Sequence, residues 1–258
     1  ASVLSVQAGA DIILACGSFA DQVRTVEAIV AAVKAGRISP ERLEQSVERI
    51  LQFKDRFRSE PVSGPNLHYD QQKADMQAIV EQTITLVKNE GDLLPLMAGQ
   101  GDVLVLIPDL LPVTPLGEVS RSDSLLPYLE LPESQVRELT YPASPDGAAY
   151  SFFCEAAAAA DTVVLAIYGR NRLSDSLREF AGKLLANNPR LVLISLSSPY
   201  LLRDVPLAPA YLCSYNYTPL SLQALGKALT GKIQTRGHLP VSIPGLFPVG
   251  HGLELRVG

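Results

Sequence analysis

The side chains able to do chemistry in this chain are few, and their spacing argues against most of the chemistry their types allow. Three histidines, His68, His238 and His251, are scattered along it, and none sits with cysteine, histidine or carboxylate in a convincing metal-ligand pattern. Three cysteines, Cys16, Cys154 and Cys213, are odd in number and form no CxxC pair. Neither a zinc site nor a disulfide framework follows, and they read as buried free thiols acting as small hydrophobes. Glu90 and Asp92 are near enough in sequence to pair for acid–base work. Their setting, Asn89-Glu90-Gly91-Asp92, reads instead as a polar turn leaving a helix. Arg170 and Arg172 offer cations to an anion, although exposed loop charge is the commoner reason for such a pair. No metal and no cofactor is expected.

Composition narrows the classes further. Apolar residues make up 47% and charged residues 19% of 258 positions, ordinary values for a folded chain with a sizeable core. A net charge of -5 and a pI near 5.3 leave no basic footprint for nucleic acid. No apolar run reaches the roughly 18–20 residues needed to span a bilayer, so no membrane partner is expected. Ala1 follows no initiator Met and precedes no charged-then-apolar leader; the chain reads as entering in mid-element, and neither compartment nor oligomeric state is legible.

The elements that must position these residues fall into two groups. Residues 9–16, Gly-Ala-Asp-Ile-Ile-Leu-Ala-Cys, are an apolar run bounded by Gly9 and Gly17, the pattern of a strand buried on both faces. A tight turn at Gly17-Ser18 then leads into a helix that Ser18 or Asp21 caps. Val23, Val26, Val30 and Val33 sit at helical spacing in it, with Gly36 to stop it. Ser39-Pro40-Glu41 opens another helix with a cap, a first-turn proline and an acid at the positive dipole end; its stripe is Leu43, Val47, Ile50 and Leu51. Residues 58–69 are rich in turn formers and read as a linker. A helix over about 70–89 follows. Beyond it, strands at 103–107, 136–141, 162–167, 191–196 and 210–214 alternate with helices near 122–130, 148–160, 174–187 and 220–229. That alternation predicts a layered α/β domain with a mostly parallel sheet.

Three blocks, in order, carry a family resemblance. The first is Ala8-Gly9-Ala10-Asp11-Ile12-Ile13-Leu14 with Ala32-Val33-Lys34-Ala35-Gly36-Arg37-Ile38-Ser39 and Ser46-Val47-Glu48-Arg49-Ile50-Leu51-Gln52-Phe53-Lys54. The second is Thr83-Ile84-Thr85-Leu86-Val87-Lys88-Asn89-Glu90 with Leu93-Leu94-Pro95-Leu96. The third is Ser214-Tyr215, Ser221-Leu222-Gln223-Ala224-Leu225 and Gly237-His238-Leu239-Pro240-Val241-Ser242-Ile243-Pro244. Together they resemble the C-terminal portion of family 3 glycoside hydrolases of the β-N-acetylhexosaminidase branch. The resemblance implies residues 1–57 as the last β/α unit of a TIM-type (β/α)8 barrel, 58–69 as the linker, and 70–258 as an α/β/α sandwich domain.

It also implies a retaining hydrolase that removes terminal β-N-acetylglucosamine through a carboxylate nucleophile. In this branch the nucleophile and the acid/base lie upstream of the Ala8-Gly9-Ala10-Asp11 block, so no catalytic residue maps onto this chain, which alone is expected to be inactive. The carbohydrate substrate would be held by the barrel. Cys16, Gly17 and Ser18 fall at the strand end where barrel chemistry lies, and they line the sugar pocket if the turn does more than cap its helix. Asp11 falls at the opposite end and is expected to be structural, as is His251; His68 is expected to hydrogen-bond within the linker and His238 to lie at the surface. Glu118 and Glu155 match the acid/base of other branches by type only. Ser197-Ser198-Pro199-Tyr200 stands where relatives often read Gly-Asn-Pro-Tyr, which argues against carrying loop roles over in this domain.

The rival reading is a flavodoxin-like ligand-binding domain, with a ligand at the switch point of its sheet. Ile107-Pro108-Asp109 and Tyr168-Gly169-Arg170 follow their strands without a phosphate-cradling glycine motif. Millimolar ATP, NAD or FMN is therefore expected to leave the melting temperature nearly unchanged, whereas a ligand at a hundred times its dissociation constant stabilises by about 2.7 kcal/mol. A clear upward shift with any of the three restores the rival.

Overall fold

The computed structural model describes residues 1–57, 69–109 and 124–255, which fall into two compact units divided near residue 68. The first holds α1 (Ser2–Gln7), α2 (Phe19–Lys34) and α3 (Pro40–Arg56). Both predicted caps form: Ser18 accepts from the Asp21 amide, and Ser39 accepts from the Arg42 amide. Val6, Ala32 and Ile38 are its buried apolar residues, with Val3, Ile13, Ile29 and Val33 packed on them. The short α1 is an element that the pattern of the sequence did not signal.

Residues 9–16 differ from expectation, for they carry no strand ladder. A strand needs hydrogen-bonding neighbours, and the described residues of this unit supply none. Leu14 is 83% exposed, and Val26 of α2 and Leu51 of α3 are 61% and 55% exposed. Val33 of the α2 stripe packs on the unit's small core, but Val26 of that stripe and Leu51 of the α3 stripe are left exposed among the described residues.

The second unit opens with α4 (Tyr69–Thr83) and is built on a six-stranded sheet. Its strands are β1 (Thr85–Asn89), β2 (Val103–Pro108), β3 (Val136–Tyr141), β4 (Thr162–Ile167), β5 (Leu191–Ser195) and β6 (Ala210–Cys213), in spatial order β1-β6-β5-β4-β2-β3. All neighbouring pairs are parallel except β1 with β6. The predicted α/β fold with a mostly parallel sheet is what forms.

Side chains alternate across a strand, so each strand feeds two cores. Val103, Val105 and Ile107 point to one side with Val192 and Ile194. Leu104 and Leu106 point to the other with Leu191 and Leu193. The first side is covered by α4, α5 (Leu126–Leu129) and α8 (Pro219–Leu229). The second is covered by α6 (Gly147–Ala158), α7 (Asp175–Asn187) and a 3-10 turn at Pro199–Asp204. Each fully buried Val, Leu, Ile or Phe contributes roughly 1.5–3 kcal/mol, which is why these runs tolerate no charge.

One boundary departs from the reading of residues 70–89 as a single helix. The helix ends at Thr83, and Thr85–Asn89 pairs antiparallel with β6, Thr85 opposite Cys213 and Asn89 opposite Ala210. Thr83-Ile84-Thr85-Leu86-Val87 is rich in β-branched residues, which are stiff in helices and fit a pleat. Burial settles the choice: Leu86 enters one core and Val87 the other. Of the helix expected near 122–130, residues 122–123 lie outside the described residues and Leu126–Leu129 is formed. The linker at 58–69 lies outside them too, apart from Tyr69.

Helix α8 meets α5 through a glycine. A Cβ on Gly226 would stand 2.4 Å from the Tyr128 carbonyl oxygen, whereas one on Gly182 of α7 meets nothing within 4 Å. Gly226→Ala is expected to lower unfolding free energy by about 1–3 kcal/mol through overpacking against backbone. Gly182→Ala is expected to raise it by up to about 1 kcal/mol through helix propensity. Urea unfolding of both variants checks this, and equal effects of the same sign contradict the packing account.

Candidate functional site

In the first unit, the Cys16-Gly17-Ser18 turn is organised by a reciprocal cap. The Asp21 amide donates to Ser18 Oγ at 3.3 Å, while the Ser18 amide and hydroxyl donate to Asp21 Oδ2 at 3.0 and 2.6 Å. The Ser18 hydroxyl and then its amide hold the Asp21 carboxyl below its ordinary range, with Arg24 adding to the effect. Gly17 is close-set, since a Cβ there would meet the Asp21 side chain at 2.7 Å. Cys16 is a free thiol but exposed rather than buried, because the run 9–16 has no strand neighbours among the described residues to cover it. The capping role of Ser18 is thus seen directly.

Asp11 fastens residues 9–16 to α3. Its carboxylate accepts from Ser46 Oγ at 2.9 Å, Arg42 Nη1 at 3.0 Å and Arg49 Nη1 at 3.2 Å. These contacts account for it without any reaction.

The other candidates disperse. His238 is exposed. His251 Nε2 lies 2.8 Å from the Val87 carbonyl, which accepts only, so that nitrogen carries the proton; the ring stacks on Phe247 with centroids 4.4 Å apart. Glu90 pairs with Lys88, and Gly91 and Asp92 take positive φ in a polar turn that leaves β1 rather than the helix expected before it. Glu155 is exposed on α6, and Glu118 and His68 lie outside the described residues. Arg172 is committed to Asp204 at 2.8 Å. Cys213 is buried, with its thiol pushed up to about 12 by that burial, and Cys154 is half-buried and raised for the same reason. Among the described residues no cluster of His, Cys, Asp and Glu is placed to hold a metal ion, and no helix is long and apolar enough to cross a membrane.

The arrangement that sequence reading missed lies at the C-terminal ends of the second unit's strands. Tyr168 follows β4 and Tyr217 precedes α8, and their rings meet edge to face with centroids 5.5 Å apart. Both pack by one side on the core beneath α8. Ser197 Oγ donates to the Gly169 carbonyl at 2.6 Å and accepts from the Gly169 amide at 3.2 Å, fixing the turn after Tyr168. Asn216 Oδ1 accepts from the Tyr217 amide at 2.7 Å and the Thr218 amide at 3.3 Å. Tyr215 has φ 58°, uncommon for a non-glycine residue. Burial, and then Tyr168, raises the Tyr217 hydroxyl above its usual range, so it stays a protonated donor. The available signal was Tyr168 directly after one apolar run and Tyr217 four residues after another.

Strand order and the two covered faces of the sheet define an α/β/α sandwich domain. The chain belongs to glycosyl hydrolase family 3: the model of the family's C-terminal domain matches residues 84–247. It is 27% identical over 230 residues to a β-N-acetylglucosaminidase/β-glucosidase of Cellulomonas fimi, covering 82% of this chain and 40% of that protein. It is also similar to the solved family 3 β-N-acetylglucosaminidase of Paenibacillus sp. str. FPU-7, at 28% identity and TM-score 0.69, covering 94% of this chain and 47% of that one. A fungal multi-domain relative of the same type shares the fold at TM-score 0.68 and 22% identity, covering 96% of this chain and 29% of that one. The chain spans less than half the length of these relatives. The flavodoxin-like alternative is not favoured by any of these matches.

The Asp11 cluster generates a pH-dependent expectation. Hydrogen bonding from Ser46 lowers the Asp11 carboxyl below 3.8, desolvation opposes this, and Arg42 and Arg49 lower it further. A depressed folded value means stabilisation that is present above the unfolded value and lost as pH falls through the folded one. Asp11→Asn is therefore expected to destabilise the first unit at about pH 7 and to approach the parent in acid, as pH falls below 3.8 toward the depressed folded value. Melting curves at both pH values decide it, and a gap that does not close at low pH contradicts the ionic account.

Proposed function

We propose that this chain is the C-terminal part of a retaining β-N-acetylhexosaminidase that removes terminal β-N-acetylglucosamine. The observation that carries the proposal is the family match over residues 84–247, joined to similarity with relatives named as β-N-acetylglucosaminidases. In this reading residues 1–57 end the catalytic (β/α)8 barrel, 58–69 link, and 70–258 form the supporting sandwich domain. The unpaired run at 9–16 and the bare faces at Val26 and Leu51 support the first assignment, because each would be covered by barrel strands.

The nucleophile and the acid/base belong to that barrel, and the second domain supports it and shapes its cleft. Cys16, Gly17 and Ser18 line the sugar pocket, with the Ser18–Asp21 cap holding the turn rigid. Retention follows when two carboxylates stand about 5–5.5 Å apart, one attacking the anomeric carbon and the other protonating the leaving oxygen.

Produced together with the barrel, the protein is expected to hydrolyse p-nitrophenyl N-acetyl-β-glucosaminide and release the β-anomer first. The 258-residue chain alone is expected to give no turnover above buffer. Failure of the longer protein to act on this substrate overturns the proposal. Turnover by the short chain, lost on changing one of its own carboxylates, overturns the placement of the catalytic pair.

A further inference from the structure

The order β6-β5-β4-β2-β3 contains a reversal. From β2 the chain moves outward to β3, then returns past β2 to β4 and continues to β5 and β6. The connection after β2 leads to α5 on one face, and the connection after β4 leads to α7 on the other. The carboxyl ends of strands at such a reversal are the usual ligand position in open α/β sheets. Tyr168 is the first residue beyond β4 at this place, and Tyr217 reaches it across the end of β5.

Four tyrosines satisfy their hydroxyls inside the fold: Tyr141 on Ala166, Tyr150 on Ser176, Tyr211 on Pro199 and Tyr215 on Thr85. The hydroxyls of Tyr168 and Tyr217 meet no such partner among the described residues; those of the half-buried Tyr128 and Tyr200 meet none either, but only Tyr168 and Tyr217 set their rings against one another. The Asn216 amide nitrogen is likewise uncommitted among them, its oxygen being spent on the loop. The loops carrying these groups are held firmly. Ser197 clamps Gly169, Ser214 Oγ donates to the Asn216 carbonyl at 2.7 Å, and Tyr215 stands in the left-handed region. Backbone held in a sparse conformation beside uncommitted donors is a mark of a preorganised site.

We propose that Tyr168, Tyr217 and Asn216 form a saccharide-binding platform at the carboxyl end of the second unit's sheet, taking one pyranose ring of an N-acetylhexosamine-containing saccharide. The identity of the sugar rests on the glycosidase reading above. A pyranose has an apolar C–H face for tyrosine and a rim of hydroxyls for the two phenols and the amide. No charged group is required, and the ligand is neutral.

The test is a titration of the 258-residue chain, labelled in its tyrosine rings, with N,N′-diacetylchitobiose followed by NMR. Saturable shifts of the Tyr168 and Tyr217 rings are expected. Tyr217→Ala is expected to weaken binding about five- to tenfold, and Asn216→Ala about threefold. Should Tyr217→Ala melt early, Tyr217→Phe keeps the ring and removes the donor, and it is expected to weaken binding about threefold. No saturable shift, or unchanged affinity in both Tyr217→Phe and Asn216→Ala, overturns the platform. ATP producing the same shifts at lower concentration also overturns it, in favour of a planar base. No turnover is read, so hydrolysis by the longer protein without these shifts sinks this inference alone. Shifts without hydrolysis sink the functional reading alone.

Discussion

The parallel ladder of β2, β4, β5 and β6 is the constraint from which the rest of the second unit follows. Parallel strands cannot be joined by tight turns, so each must be followed by a crossover, and the crossovers cover both faces. Both faces are then apolar, and every position of β2, β4, β5 and β6 is buried. The helices are placed by this need. Phe153, Leu177 and Phe180 fill one core, while Leu222, Leu225 and Leu229 fill the other. Gly226 is glycine because α5 and α8 must share one face at a distance no Cβ permits.

The antiparallel β1 closes one edge of this sheet and ties the ends of the unit together. Leu86 bridges to Leu253, the Gly237 amide donates to the Ile84 carbonyl at 3.1 Å, and His251 reaches the Val87 carbonyl. An exposed edge strand offers unpaired backbone to any passing chain, and the C-terminal segment occupies part of that edge. His251 thereby serves as a backbone partner, which explains a histidine with no carboxylate or cysteine beside it.

The same rules read differently in the first unit. Its caps and helices form from local chemistry, because Ser18, Asp21 and Ser39 satisfy helix N-termini within a few residues. Its apolar run at 9–16 does not become a strand by local chemistry, since a ladder is a property of two segments. Asp11, with Ser46, Arg42 and Arg49 around it, anchors the run to α3 in a way that needs no neighbouring strand.

What the sequence by itself determined is what depends on near neighbours: helix starts, the 3.6 and 2 periodicities, and hence the α/β class and most strand positions. Val136–Tyr141 and Thr162–Ile167 were legible to the residue. The capping roles at Ser18 and Ser39 were legible too, whereas the anchoring of Asp11 by Ser46, Arg42 and Arg49 belongs to the tertiary structure. Only the tertiary structure decided between helix and strand for Thr85–Asn89, because its apolar pattern suits both and burial on two faces breaks the tie. Only it brought Tyr168 and Tyr217 together, since they stand on connections after two strands that are not adjacent, separated by β5. Proximity of that kind is set by the order of strands in the sheet, and strand order is fixed by which faces must be buried at once, a condition no local window of sequence contains.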